Sequence, residues 1–257
     1  MKEKTALITG GAAGIGKMTA ELLAEKGFHI VINYRKSEEK ARKLAEEIQR
    51  KHRVKAAAVK GDVASMEDCR RIYEQAISLT GCVDVLIHNA GPYIRERRKM
   101  ADYSLDEWLY LVNGNLNAVF YLTKLCLPAM RENRWGRIIT MGFDRAETAA
   151  GWPERSAFAA AKSAVASLTK TLSREEAEYG ITVNMVSPGD IEGDWKEKRI
   201  GEAMGRPDPG TPVGRPGTGE DVARVISFLC GEESDFITGA VISVTGGKDV
   251  LGKGKGK

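Results

Sequence analysis

Near the start of the chain, Thr9-Gly10-Gly11-Ala12-Ala13-Gly14-Ile15-Gly16 joins a short apolar run, Ala6-Leu7-Ile8, to a helical pattern from Gly14 to Lys26. Glycines at such a junction let the backbone turn tightly and approach a phosphate group. The free N–H groups of the helix start then point at the anion. A glycine cluster alone is a weak signal, but one between a first strand and a first helix is strong evidence for a dinucleotide's pyrophosphate site. Gly10, Ala13, Gly14, Ile15 and Gly16 are the candidates for that contact.

The rest of the chain repeats the strand–helix theme. His29 to Asn33 precedes a charged helix from Glu38 to about Lys51, and Ala56–Val59, Val83–Ile87, Arg137–Met141 and Ile181–Val186 read as further strands. A last strand, Ala240–Val244, follows a helix from Glu220 to Leu229. This order predicts an α/β fold, a doubly wound parallel sheet with right-handed crossovers and helices on both faces. No linker interrupts it, so residues 1–248 are expected to form one Rossmann-type domain. Glu192 to Gly219 is rich in Gly, Pro and charge, and such a long excursion beside a ligand edge reads as a mobile lid, with a plain surface loop as the alternative. Residues 249–257 read as a flexible Gly/Lys tail.

Composition narrows the function classes. The charge balance is 39 − 35 = +4, and the tail after Gly247 carries most of the excess, so the body lacks the basic stripe of a nucleic-acid binder. The apolar runs are strand-length, which predicts no membrane span, and the N-terminus does not read as a signal peptide. Cys69, Cys82, Cys126 and Cys230, and likewise His29, His52 and His88, lack metal-ligand spacing. Scattered thiols of this kind suit a reducing cytoplasm, and no metal site is expected.

The second strand ends in Asn33-Tyr34-Arg35-Lys36-Ser37. An NAD site usually places an acid there for the ribose 2′-hydroxyl. Here Arg35 and Lys36, next to Tyr34, are suited to pair a 2′-phosphate through charge-assisted hydrogen bonds. The expected cofactor is therefore NADP(H).

The glycine loop, Gly61-Asp62-Val63, His88-Asn89-Ala90-Gly91, Asn115, Lys162 and Ser187-Pro188-Gly189 follow one another in an order and spacing that resembles the short-chain dehydrogenase/reductase family, in particular 3-oxoacyl-[acyl-carrier-protein] reductases. The resemblance spans roughly residues 3–248. It implies a carbonyl/alcohol oxidoreductase acting on a small carbonyl or acyl-thioester substrate. It also implies a homotetramer built on long helices around residues 105–133 and 156–178. Asp62 and Val63 would contact adenine, and Asn89, Ala90 and Gly91 would line the cofactor. Pro188, Gly189 and Ile191 belong to the same site, with Ile191 at the nicotinamide amide.

Active members use an Asn, a Ser, a Tyr and a Lys four positions after that Tyr, so that Tyr and Lys project from one helix face. Asn115 and Lys162 match two of these. The tyrosine position is Phe158, and the serine region reads Gly142-Phe143-Asp144-Arg145. Gly193 stands where similar reductases carry a Thr. Phenylalanine has no O–H to donate, so the usual carbonyl reduction should be impaired. Three readings remain open: a cofactor-binding, sensing or partner subunit; an active reductase with Tyr93, Asp144 or Lys162 as substitute donor; and an oligomer that keeps the fold alone. The basic run Arg95, Arg97, Arg98 and Lys99 reads as a solvated loop face or as a landing site for an acidic substrate or carrier.

Overall fold

In the computed structural model, which describes residues 4–251, the alternating runs become seven strands. These are β1 (Thr5–Ile8), β2 (His29–Tyr34), β3 (Ala56–Lys60), β4 (Val85–His88), β5 (Gly136–Met141), β6 (Ile181–Pro188) and β7 (Val241–Val244). All pair in parallel, in the order β3-β2-β1-β4-β5-β6-β7. The expected doubly wound sheet is thus the one observed.

Period-two alternation decides which residues face which layer. Ala6, Ile8, Ile30, Ile32, Val85 and Ile87 pack with α1 (Gly14–Glu25), α2 (Glu38–His52) and α8 (Gly219–Leu229). The residues between them, Leu7, Val31 and Leu86, face the other side with α3 (Met66–Thr80) and α5 (Ala118–Glu132). A smaller cluster holds Phe143 of the loop after β5 against α6 (Ser156–Glu175). Because β1 has β2 on one side and β4 on the other, the winding reverses direction there, and a crevice opens at the strands' carboxyl ends.

The long helical pattern over 105–133 is broken. α4 (Leu105–Val112) passes through a π-helical turn, Asn113–Asn117, before α5 begins. The Asn115 side chain gives the reason: its Nδ2 donates to the Leu111 carbonyl at 3.0 Å and to the Pro92 carbonyl at 2.9 Å. The Leu111 carbonyl is thereby drawn into a side-chain bond, and the wider turn aims Asn115 inward. The long segment after β6 holds a short 3₁₀ turn, Gly193–Glu197, and α7 (Ile200–Ala203).

All four cysteines are buried and free, and burial pushes the Cys69 and Cys230 thiols up to about 12. Among the described residues no group of three metal-ligating side chains occurs, and no helix is long and apolar enough to cross a membrane. Residues 252–257, most of the tail expected to be flexible, lie outside the described residues.

Candidate functional site

The glycine loop after β1 is held by asparagines on both sides. Asn33 Oδ1 accepts the Gly10 amide at 3.4 Å, while its Nδ2 donates to the carbonyls of Val59 and Gly61. Asn89 Nδ2 donates to the carbonyls of Thr9 and Gly10, both at 3.0 Å, and Thr9 Oγ1 accepts the Ala90 amide. Asn33 and Thr9 are positioning residues that the sequence reading missed. Gly10 and Gly14 both have φ of +60°, a conformation that costs a side-chain-bearing residue strain. A Cβ at Gly16 would sit 2.6 Å from the Gly10 carbonyl.

The helix that follows starts without a cap of its own. Its N-cap residue, Ala13, has no side-chain acceptor, and its first turn has no acid. The first amides of a helix have no partner within it, and together with the helix dipole they favour an anion. One anion is already present in this chain: Glu197 Oε1 accepts the Gly14 amide at 2.9 Å, and Glu197 Oε2 pairs with Lys17 at 3.1 Å.

Beside the loop lies a cavity of about 320 Å³ lined by Gly10, Asn33, Arg35, Asp62, Ala90 and Tyr110, among others. Val63 and Gly91 also line it. Arg35 Nη1 reaches Asp62 Oδ2 at 3.1 Å and the Tyr110 hydroxyl at 2.9 Å, contacts that raise the guanidinium's pKa. Tyr110 is a wall of this cavity that no sequence motif points to. Tyr34, a candidate by its place at the strand end, packs in the core instead, 5% exposed. Lys36 is exposed.

Deeper in the crevice, Asn115 and Lys162 meet at Gly91, where an added Cβ would collide with Asn115 Oδ1 and lie 3.5 Å from Lys162 Nζ. Asn115 Oδ1 is buried without a hydrogen-bond partner. Lys162 is 6% exposed, and burial lowers its pKa to about 8. It has no carboxylate within ion-pair distance among the described residues. Buried His88, bonded to Thr123 Oγ1, is held neutral by burial and by the nearby lysine, at about 3.

Phe158 stands one turn before Lys162, within a group of aromatic rings. Tyr93 meets it edge-on at 5.0 Å, and Phe143 and Trp152 each lie at 6.2 Å. Phe143 itself is 4% exposed, so the serine region contributes packing here. Two hydroxyls that were not singled out, Ser156 Oγ and Ser187 Oγ, are buried without partners. Ser187 sits under Gly142, where a Cβ would strike it.

The suggested substitute donors are placed differently. The Tyr93 hydroxyl accepts from Arg155 Nε at 2.8 Å, under a guanidinium 5.0 Å from its ring. Asp144 faces Arg145 at 3.6 Å. In the basic run, Arg98 pairs with Glu96 and Glu107, and Arg97 with Glu154. At the far end, Gly189 packs against Thr245, and the 8%-exposed Ile191 borders a cavity of about 90 Å³ with Thr211 and Arg215. Pro188 closes β6 and is partly exposed.

Strand order, glycine cradle and crevice together define a Rossmann-type α/β protein. The enoyl-(acyl carrier protein) reductase family model matches residues 10–249. The chain belongs to the short-chain dehydrogenase/reductase family. Over 249 residues it is 53% identical to YtkK of Bacillus subtilis (strain 168), a protein named as an oxidoreductase, covering 96% of this chain and 97% of that one. It is 35% identical over 244 residues to the 3-oxoacyl-[acyl-carrier-protein] reductase FabG of Staphylococcus aureus (strain Mu50 / ATCC 700699), covering 95% and 97%. The crystal structure of a blue fluorescent protein from a metagenomic library, in complex with NADPH, superposes with a TM-score of 0.82 at 33% identity, covering 95% and 97% of the two chains.

Proposed function

We propose that this chain is an NADP(H)-binding member of its family in which the ordinary proton-donating route to a carbonyl is cut. The fit to the dinucleotide rests on the left-handed glycines at 10 and 14, the start of α1 with no capping side chain from its own N-cap residue, and the cavity walled by Arg35 and Asp62. It also rests on a buried lysine that has no carboxylate partner among the described residues. Gly14, Ile15 and Gly16 would hold the diphosphate, Arg35 and Lys36 the 2′-phosphate, Asp62 and Val63 the adenine, and Lys162 the ribose. When bound, the dinucleotide supplies a hydride donor. The blue fluorescent relative solved with NADPH supports that choice of cofactor.

The observation that carries the rest is Phe158 at the turn before Lys162, ringed by Tyr93, Phe143 and Trp152. A ring there excludes water from Lys162 but cannot protonate an alkoxide. General acid catalysis is typically worth about 10²–10⁴ in rate, roughly 3–5 kcal/mol of barrier. With Phe143 in the serine region, a second donor to the developing charge is gone as well. The chain then serves as a cofactor-binding, sensing or partner subunit. The helices α4 to α6 are the surface on which a homotetramer would form, and the buried reduced thiols suit the cytoplasm.

A second reading draws on Tyr93. Its oxygen accepts from Arg155, which leaves its own O–H hydrogen without an acceptor among the described residues. A substrate seated against Phe158 would find that hydroxyl on the neighbouring ring.

Titration with NADPH, followed by cofactor fluorescence, should give saturable binding, while reduction of acetoacetyl thioesters and simple ketones should stay at background. Turnover at ordinary enzyme rates overturns the impaired reading. Loss of that turnover in Y93F would then establish the second.

A further inference from the structure

We infer that Glu197 is an internal ligand of the diphosphate end of the cofactor site, a carboxylate that the dinucleotide must displace in order to bind. The inference rests on the cofactor reading above and concerns this chain's own segment 193–203.

The carboxylate occupies the place where that reading puts a phosphate. Glu197 Oε1 takes the Gly14 amide at 2.9 Å, and Oε2 takes Lys17 at 3.1 Å. Burial alone would raise the Glu197 carboxyl, but the Gly14 amide and Lys17 outweigh it and hold the group below the usual carboxylate range. The contact is thus made by the charged form, as an anion at a helix start requires. Gly14 cannot serve a carboxylate and a phosphate oxygen at once, and two anions side by side at one helix start repel.

The segment is built to present this group. It opens at Gly193, the third departure noted in the sequence, whose φ of +51° is one that a β-branched residue such as threonine takes only with strain. The 3₁₀ turn that follows lays the Lys196 side chain on Gly14, 3.7 Å from the position of an added Cβ, and sets Trp195 against the core. The Lys196 carbonyl lies so close to Gly219 that no Cβ fits there. Beyond it, Arg199 ties the segment to Glu21 and Glu25 of α1 and to Glu220 of α8. The anchors lie on both sides of Glu197 and do not involve its carboxylate, so the side chain can leave Gly14 while the segment stays attached.

The test is an NADPH titration of the full chain, E197Q and E202Q, the last altering a carboxylate of the same segment that bonds Lys198 and the Arg199 amide instead. E197Q should bind roughly two- to thirty-fold more tightly, the range that one charge at a helix start provides, and E202Q should match the unaltered protein. Equal or weaker binding by E197Q overturns the inference. A second readout needs no cofactor: hydrogen exchange at the Gly14 amide should be faster in E197A than in the unaltered protein, and no change refutes the contact. Absence of NADPH binding by every variant overturns the cofactor reading and the displacement with it. The exchange experiment still decides whether the carboxylate sits at Gly14 in the free protein.

Discussion

The Lys162 ammonium nitrogen lies 5.7 Å from the centroid of the Phe158 ring, one helical turn away on α6. Two of the groups expected of an active family member, Asn115 and Lys162, remain buried together at Gly91. The helix that should present a phenol beside them presents a phenyl ring. On the proposed reading the site would still hold a ribose through Lys162 while offering a phenyl ring where the usual acid stands.

Replacing Phe158 by Tyr tests that division directly. The new hydroxyl would extend a ring already placed one turn before Lys162, so no backbone change is needed. F158Y should raise NADPH-dependent reduction of an acetoacetyl thioester by about 10², the lower end of what a positioned acid contributes, because the serine region still offers Phe143. Steady-state kinetics beside an NADPH titration would check it. Unchanged cofactor binding with no gain in rate would place the defect elsewhere in the pocket.

Lys162 should leave a signature in the pH dependence of stability. Burial lowers its pKa from 10.5 to about 8. Between those values the unfolded chain binds a proton that the folded chain has released, so this group makes stability rise as pH increases through that window. Below about pH 8 the lysine is charged in both states, and its burial costs about 3 kcal/mol. K162M should therefore raise the Tm of the cofactor-free protein at pH 7 and remove this rise between pH 8 and 10. It should also abolish NADPH binding. Thermal melts across pH would decide it, and parallel slopes for the two proteins would contradict the assignment.

Much of the fold was legible because the signals were local. Strand-length apolar runs alternating with amphipathic helices specify a parallel sheet, and glycines between β1 and α1 specify a cradle, whatever happens elsewhere in the chain. What stayed hidden depends on distant contacts. Asn115 was found by its spacing, but the π-helical turn that carries it and the bond its side chain makes to the Pro92 carbonyl, from another segment, left no mark in the local pattern. Tyr34 looked like a cofactor neighbour because it ends β2, yet a strand buried on both faces gives no alternation by which to tell its orientation. Tyr110 and Glu197 join the site from a helix and a loop whose composition carries no trace of where they dock.

Arg35 provides the sharpest check on the choice of cofactor. Its guanidinium is shared between Asp62 and the Tyr110 hydroxyl, half in solvent. An exposed ion pair of this kind contributes about 0–1 kcal/mol, so little is lost when the side chain turns to another anion. A 2′-phosphate would offer it a hydrogen bond between charged groups worth about 1.5–3 kcal/mol. R35A should therefore weaken NADPH binding roughly ten- to hundred-fold while leaving NADH binding nearly unchanged. R35K should fall between, since lysine keeps the charge without the planar fork. Parallel titrations with the two dinucleotides separate the terms, because the 2′-phosphate is the only chemical difference between them. Equal losses for both would mean that Arg35 shapes the adenine cavity through Asp62 and Tyr110 rather than reading the phosphate.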